Sequence, residues 1–210
     1  MSTRLVVVRH GETEWNLASR VQGHTDSPLT ATGEAQAAAI ARRLAGERFD
    51  RIVSSDLGRA WRTAQAVAER TGRSVVADAR FRERNYGRAE GLTYGEIGVH
   101  FPEVFSRVRD TDPDYVVPGG ESRRQLFERA RDAFEALARD ADGARIVVVC
   151  HGGVLAALYR HVNAIPVEAA WAVPIPNASY NALAFDGGRW TIEAWADIAH
   201  LEEVAPVVEP

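Results

Sequence analysis

The sequence predicts an α/β protein: a three-layer sandwich with a mainly parallel central sheet, helices on both faces, and a small covering segment. Three observations carry that expectation. Residues 5–8 (Leu-Val-Val-Val) and 146–149 (Ile-Val-Val-Val) are continuous apolar runs, and they lead into Arg9-His10-Gly11 and Cys150-His151-Gly152-Gly153. Runs this rich in β-branched residues suit strands buried on both faces, as in a parallel sheet. Strand patterns then alternate with helical ones, which calls for crossover connections. A hairpin signal, Asp186-Gly187-Gly188, occurs only near the end.

Taken in order, residues 21–28 form a polar loop containing Gly and Pro. Thr30 is a good N-cap for a helix with Ala37, Ile40, Ala41 and Leu44 on one face and Gly46 as its stop. Residues 49–54 read as a short strand. Asp56 is the expected N-cap of a helix through Arg70, ended at Gly72, which puts Arg59 in a first turn beyond a strand end. Residues 74–77 read as a third strand and 81–92 as a loop. Thr93 to Glu96 and Ser122 to Gln125 have capping-box spacing. The second box opens an amphipathic helix with Leu126, Ala130, Ala133, Phe134 and Leu137 on one face. Between them the pattern is weak and broken by Pro102, Pro113 and Pro118, an excursion expected to cover a crevice. A helix over 154–161 follows the second buried strand. Strands over 179–185 and 189–195 flank the hairpin turn, the second with Trp190, Ile192 and Ala194 on one face. The reading is one domain over 1–201, with 98–122 as the covering segment and 202–210 as a loose tail.

Composition narrows the function. The 210 residues carry a net charge of −4, which argues against a broad nucleic-acid or anionic-membrane surface. A single cysteine, Cys150, leaves no internal disulfide and no Cys-rich metal cluster. No signal-peptide pattern precedes the first strand, and no apolar run approaches membrane-spanning length. The expectation is a cytoplasmic protein with no nucleic-acid or membrane partner. The alternating 189–195 arm, as an edge strand, would allow a homodimer.

Chemistry concentrates where strands end. In open α/β sheets, ligands sit outside the carboxyl ends of the strands. Arg9, His10, Arg59 and His151 all fall at such ends, and a loop acid, Glu83, could join them. Two Arg and two His around one crevice make an anion pocket, and guanidinium forks suit a dianionic phosphate. A neutral His there could attack phosphorus, with fixed cations meeting the charge on the phosphoryl oxygens. Glu83 is the best available acid for a leaving alkoxide. Glu12 and Glu90 are nearby carboxylates. A metal site built from the two His and Glu83 competes with this reading, but no His-rich helix or second acidic cluster supports it. His24, His100, His161 and His200 read as surface or structural, Trp61, Trp171, Trp190 and Trp195 as core, and Cys150 as an inert core thiol.

Together these motifs resemble the histidine phosphatase superfamily, also called phosphoglycerate mutase-like. The resemblance runs through Arg9 to Thr13 with Asn16, Gln22-Gly23, Asp26 to Thr30 with Gly33, and Ser54 to Leu57 with Arg59 and Ala60. It continues through Glu83 to Gly87, Glu90 to Thr93, Gly119 to Ser122, and His151-Gly152-Gly153. It implies that His10 is a nucleophile that becomes phosphorylated, that Arg9, Arg59 and His151 hold the phosphoryl group, and that Glu83 donates a proton. Asn16, Gln22, Gly23 and Gly152 join the substrate-binding set. No cofactor and no metal are implied, and the partner is a small phosphorylated metabolite. The loops at 86–93 and 118–122 resemble the phosphatase branch, with Ala89 where many members carry an aromatic residue. A phosphoglycerate mutase is the alternative, for which Arg107, Arg109, Arg123 and Arg124 could grip a carboxylate. A catalytically silent phospho-ligand binding module is the minor one.

Overall fold

In the computed structural model, the described residues are 2–109, 112–141, 143–202 and 204, without the side chains of 108 and 109. The two apolar runs become β1 (Thr3–Arg9) and β4 (Arg145–Cys150), paired in parallel with Leu5 opposite Ile146 and Arg9 opposite Cys150. β2 (Arg51–Ser54) lies parallel to β4, and β3 (Val75–Ala77) parallel to β2. β5 (Tyr180–Asp186) runs antiparallel to β1, and β6 (Arg189–Asp197) antiparallel to β5. The order is β3-β2-β4-β1-β5-β6, so the two longest apolar runs occupy the middle. There both faces of a strand are covered, and no polar alternation is needed.

The expected three layers form. On one face, α2 (Ala31–Ala45) and α3 (Gly58–Thr71) bury Ile40, Leu44, Ala60, Ala64 and Val67 against Val6, Val8, Val147 and Val149. On the other, α6 (Arg123–Arg139) and α7 (Gly152–Val162) bury Leu126, Phe134, Val154, Leu155 and Leu158 against Leu5, Val7, Ile146 and Val148. Alternate residues of one strand thus feed two separate cores. Thr30 caps α2 through its hydroxyl, and both expected capping boxes form, at Thr93 and Ser122. A short helix, α1 (Glu14–Leu17), carries a third box between Thr13 and Asn16.

Several expectations need correction. Asp56 does not cap α3. Leu57 occupies the N-cap with no side-chain bond, and Asp56 forks onto Arg82 instead. The cap comes from far away in sequence: Asp26 Oδ1 accepts from the Arg59 N–H at 3.3 Å. A Cβ on Gly58 would collide with that carboxylate. The stretch after His100 is more ordered than its pattern suggests. α4 (Tyr94–His100) and α5 (Pro102–Arg109) pack together around a small core of Val21, Ala89, Ile97, Val104 and Val117. Pro102 stands at the first helical position, where its missing N–H costs nothing. The expected 81–92 loop begins on a fully buried core residue, Phe81, and contains a 3-10 turn at Gly87–Ala89. In β6 the expected Trp190-Ile192-Ala194 face is broken by a bulge at Glu193. Leu183 faces Ile192 but Ala182 faces Ala194, and Ala194 packs with the opposite core. Trp171 is not core: it is 39 % exposed. Of the expected tail, Glu202 and Val204 are described; 203 and 205–210 lie outside the described residues, as does the Arg109 side chain. Among the described residues, no helix is long and apolar enough to cross a membrane.

Phe134 of α6 and Phe81 pack with ring centroids 5.0 Å apart at a 59° tilt, and both are fully buried. Phe134→Ala should therefore lower unfolding free energy by about 3–5 kcal/mol, read as a shift of the urea midpoint at unchanged slope. An unshifted midpoint would show that the packing of α6 on the sheet described above is wrong.

Candidate active site

The carboxyl ends of β1, β4 and β2 share one edge of the sheet, because the three strands are adjacent and parallel. The ladder runs one step past each strand. His10 N–H donates to the Cys150 carbonyl, and Ser55 N–H to that of Val149, each at 3.0 Å. Since Arg9 sits opposite Cys150, the next residues, His10 and His151, must emerge side by side. Their ring centroids are 5.2 Å apart at a 57° tilt. In front of them opens a cavity of about 510 Å³ lined by Arg9, His10, Asn16, Gln22, Gly23, Arg59 and Glu83, and also by Trp15, Arg20, Tyr86 and Tyr94. The structure thus brings together the residues the sequence singled out from five separate segments. Gly152 joins them beside Arg9: a Cβ there would stand 3.6 Å from Arg9 Nε.

Each side chain is held by named partners. His10 Nδ1 lies 2.7 Å from the Gly11 carbonyl. Only a protonated Nδ1 can make that bond, so the Nε2 lone pair is the free one. His151 Nε2 meets Ser55 Oγ at 2.8 Å. Arg9 Nη1 donates to the Ile175 carbonyl at 2.6 Å. Arg59 is 2 % exposed and is fixed by Asp26 Oδ1 (3.0 Å) and the carbonyls of Gly23 (2.7 Å) and Thr25 (3.3 Å). Gly23 takes φ +59°, and a Cβ there would collide with Glu90, so this position favours glycine twice over. Glu83 accepts from the Gly153 N–H at 2.9 Å and from the Arg84 N–H at 2.8 Å. Gly153 is in the first turn of α7, so that helix start faces Glu83. Asn16 Oδ1 accepts from Thr13 N–H, Thr13 Oγ1 and Asn177 Nδ2, which leaves its own amide N–H group for the cavity.

What these anchors leave unbonded is informative. Among the described residues, the buried side-chain N and O atoms without a partner are Arg9 Nε, Arg59 Nε, His151 Nδ1, Gln22 Oε1 and Trp195 Nε1. All but Trp195 belong to this cluster. A buried unsatisfied polar group costs about 1–3 kcal/mol, so the two guanidinium Nε–H groups are poised to receive hydrogen-bond acceptors, whereas Gln22 Oε1 would accept from a donor. Its electrostatics agree. Burial, then the charges of Arg59 and Arg9, push the His10 imidazole well below its ordinary pKa. Burial, Arg59 and His10 do the same to His151. Burial lowers both arginines too, while the Glu83 carboxylate opposes that shift in each.

The other nearby carboxylates are occupied structurally. Glu12 accepts from Thr30 Oγ1 at 2.8 Å and fastens the first loop to α2. Glu90 accepts from the N–H groups of His24, Thr25 and Tyr86 and pins two loops together. His24 is less peripheral than its sequence suggests, since Nε2 meets the Glu83 carbonyl at 2.9 Å. Sequence reasoning missed Asn177 altogether. Its Nδ2 donates to the His10 carbonyl (3.0 Å) as well as to Asn16, and Pro176-Asn177 carries only an ordinary turn signal. Cys150 is a buried free thiol pushed up by burial. Among the described residues, no group of three or more His, Cys, Asp or Glu side chains is arranged to hold a metal ion.

Comparison with known proteins bears on the family and the fold. The histidine phosphatase superfamily (branch 1) profile matches residues 5–198. Phosphoglycerate mutase-like protein 4 of Arabidopsis thaliana is 41 % identical over 203 residues, 95 % of this chain and 87 % of that one. The metal-independent phosphoserine phosphatase of the same plant is 40 % identical over 205 residues, 96 % of this chain and 84 % of that one. The solved structure of Bacillus stearothermophilus YhfR superposes with a TM-score of 0.89 at 32 % identity, covering 95 % of this chain and all of that one. Profile match, relatives and fold coincide, and the chain belongs to the histidine phosphatase superfamily.

Proposed function

We propose that this chain is a metal-independent phosphatase that hydrolyses phosphomonoesters of small metabolites through a phosphohistidine on His10. The observation that carries the reading is the set of orphaned buried donors, Arg9 Nε, Arg59 Nε and His151 Nδ1, around a neutral imidazole. Three oxygens of one phosphoryl group match those donors in number and charge. His10 is held as the Nδ1–H tautomer, so Nε2 is a lone-pair nucleophile without prior proton loss. Ser55 Oγ accepts from the Leu57 N–H, which leaves its own hydrogen for His151 Nε2. His151 then presents Nδ1–H to a phosphoryl oxygen.

The cycle has two displacements. In the first, the Nε2–P bond forms, the P–O bond to the leaving group breaks, and Glu83 gives its proton to the departing oxygen. In the second, Glu83 takes a proton from water, the water oxygen bonds to phosphorus, and the Nε2–P bond breaks to release inorganic phosphate. Fixed guanidinium groups meet the charge on the transferring group in both steps, the stabilisation that phosphoryl transfer chiefly requires. A second reading, a phosphoglycerate mutase, is favoured by the name of the 41 %-identical plant relative. It shares the first displacement and differs only in the acceptor.

Three outcomes follow. In excess chelator, wild-type protein should hydrolyse an aryl phosphate and leave an acid-labile, alkali-stable phosphoenzyme on rapid quench. His10→Ala should lose both by several orders of magnitude, and persistence of either would refute the mechanism. Glu83→Gln should slow alkyl phosphates by roughly 10²–10⁴-fold while sparing 4-nitrophenyl phosphate in single-turnover transfer, because that leaving group needs no proton. An equal loss on both substrates would remove Glu83 as the acid. Because the folded-state pKa of His10 and His151 is depressed, ring nitrogen NMR should find both rings neutral near pH 6.5, where an ordinary imidazole is half protonated. Below that pH the unfolded chain binds the extra protons, so stability falls on acidification. A titration of either ring at the ordinary value would contradict the neutral-nucleophile step.

A further inference from the structure

A second cavity of about 360 Å³ adjoins the first, and Tyr86 and Tyr94 line both. Gly153, whose N–H holds Glu83, stands on its wall, so it opens on the side where the leaving group departs. Its size is at the lower end of small-molecule sites, which run from roughly 300 to 1,000 Å³, and exceeds what a two- or three-carbon alcohol fills. Leu126, Phe127, Val167 and Trp171 make its walls largely apolar. Three guanidinium groups nonetheless line it: Arg84, Arg123 and Arg160.

Among the described residues, no carboxylate forms an ion pair with any of these three cations. Three neighbouring acids are engaged elsewhere, Asp112 with Arg107, Asp114 with Arg124, and Glu121 with Arg129; Glu168 acts on Arg160 through its charge, without a direct ion pair. Arg124, one of the residues expected to grip a carboxylate, is therefore spoken for. Arg84 donates to the carbonyls of Glu121 and Tyr115 and stacks on Tyr86. Arg160 donates to those of Pro166 and Ala169 and lies over Trp171. Arg123 is different. Its one hydrogen bond among the described residues is long, 3.4 Å to the Val167 carbonyl, and the rest of its fork is uncommitted. Burial and the nearby Arg84 charge push its pKa down, a strain that an anion would relieve.

We infer that this chamber receives the leaving group of the substrate, and that the leaving group has an apolar or aromatic body ending in a carboxylate gripped by Arg123. One free fork fits one carboxylate, and the two flanking guanidinium groups raise the local potential without offering many donors. The assignment rests on the phosphatase reading above, for which it names the substrate class.

The test is a matched pair: 4-(2-carboxyethyl)phenyl phosphate and 4-propylphenyl phosphate, alike in leaving phenol and bulk. For the wild-type protein, kcat/KM for the acid should exceed that for the propyl compound at least tenfold. In Arg123→Gln that ratio should fall to within twofold of unity, chiefly through the KM of the acid. A wild-type ratio near unity, or a ratio that Arg123→Gln leaves intact, overturns the inference while hydrolysis of both keeps the phosphatase reading. If neither ester turns over, the phosphatase reading fails. The chamber is then judged by calorimetric binding of 3-(4-hydroxyphenyl)propionate. Binding at least tenfold weaker in Arg123→Gln supports the carboxylate grip, and equal binding to both proteins overturns it.

Discussion

The site depends on the parallel pairing of β1 with β4. With Arg9 opposite Cys150, the next residue on each strand is a histidine, and the ladder bond from His10 N–H to the Cys150 carbonyl fixes their spacing. A slip of one residue would turn one ring to the other face of the sheet, because side chains alternate with period two. That register is enforced by the cores rather than by the site. Val6, Val8, Val147 and Val149 face one helical layer, while Leu5, Val7, Ile146 and Val148 face the other. Packing energy spread over both layers therefore supports the placement of two rings at one rim.

Around that rim, the chain holds like charges together by distributing their bonds outward. Arg9 and Arg59 would repel each other and the imidazoles, yet both are buried. Each is tied by backbone carbonyls, which accept hydrogen bonds without neutralising the charge, and among the described residues Asp26 alone forms an ion pair with Arg59. Unbonded guanidinium nitrogens, Arg9 Nε and Arg59 Nε, therefore remain in the cleft although the whole protein carries −4. The same logic explains why Glu12, Glu90 and Glu121 are bonded to loop N–H groups and hydroxyls or to a cation outside the cavity. A free carboxylate other than Glu83 would compete with an anionic guest.

How much of this was legible in the sequence follows from the range of each signal. The central strands and three of the helix starts, at Thr30, Thr93 and Ser122, were readable, because burial on two faces and capping by Thr or Ser are written within a few consecutive residues. The Arg9, His10, Arg59 and His151 cluster was readable because strand ends in a parallel sheet share an edge. Asp56 was misread because capping statistics are local, whereas the α3 cap is a carboxylate 33 residues before Arg59. Asn177 was invisible because its work is done by a side-chain amide bonding to a carbonyl and to Asn16, and nothing in Pro-Asn-Ala marks it. The covering helices were obscured by a short apolar repertoire: α4 and α5 bury Ile97 and Val104, too few residues to show a period.

The same limit explains why the family was clear and the substrate was not. Phosphoryl chemistry demands fixed residues at strand ends, so it leaves a pattern in the chain. Leaving-group recognition draws on Tyr86, Tyr94, Arg123, Arg160 and Trp171, which come from a loop, three helices and the segment after α7. None of these elements is adjacent in the sheet, and no spacing relates them. Only a three-dimensional arrangement shows that a half-buried arginine with an uncommitted fork stands beyond Glu83.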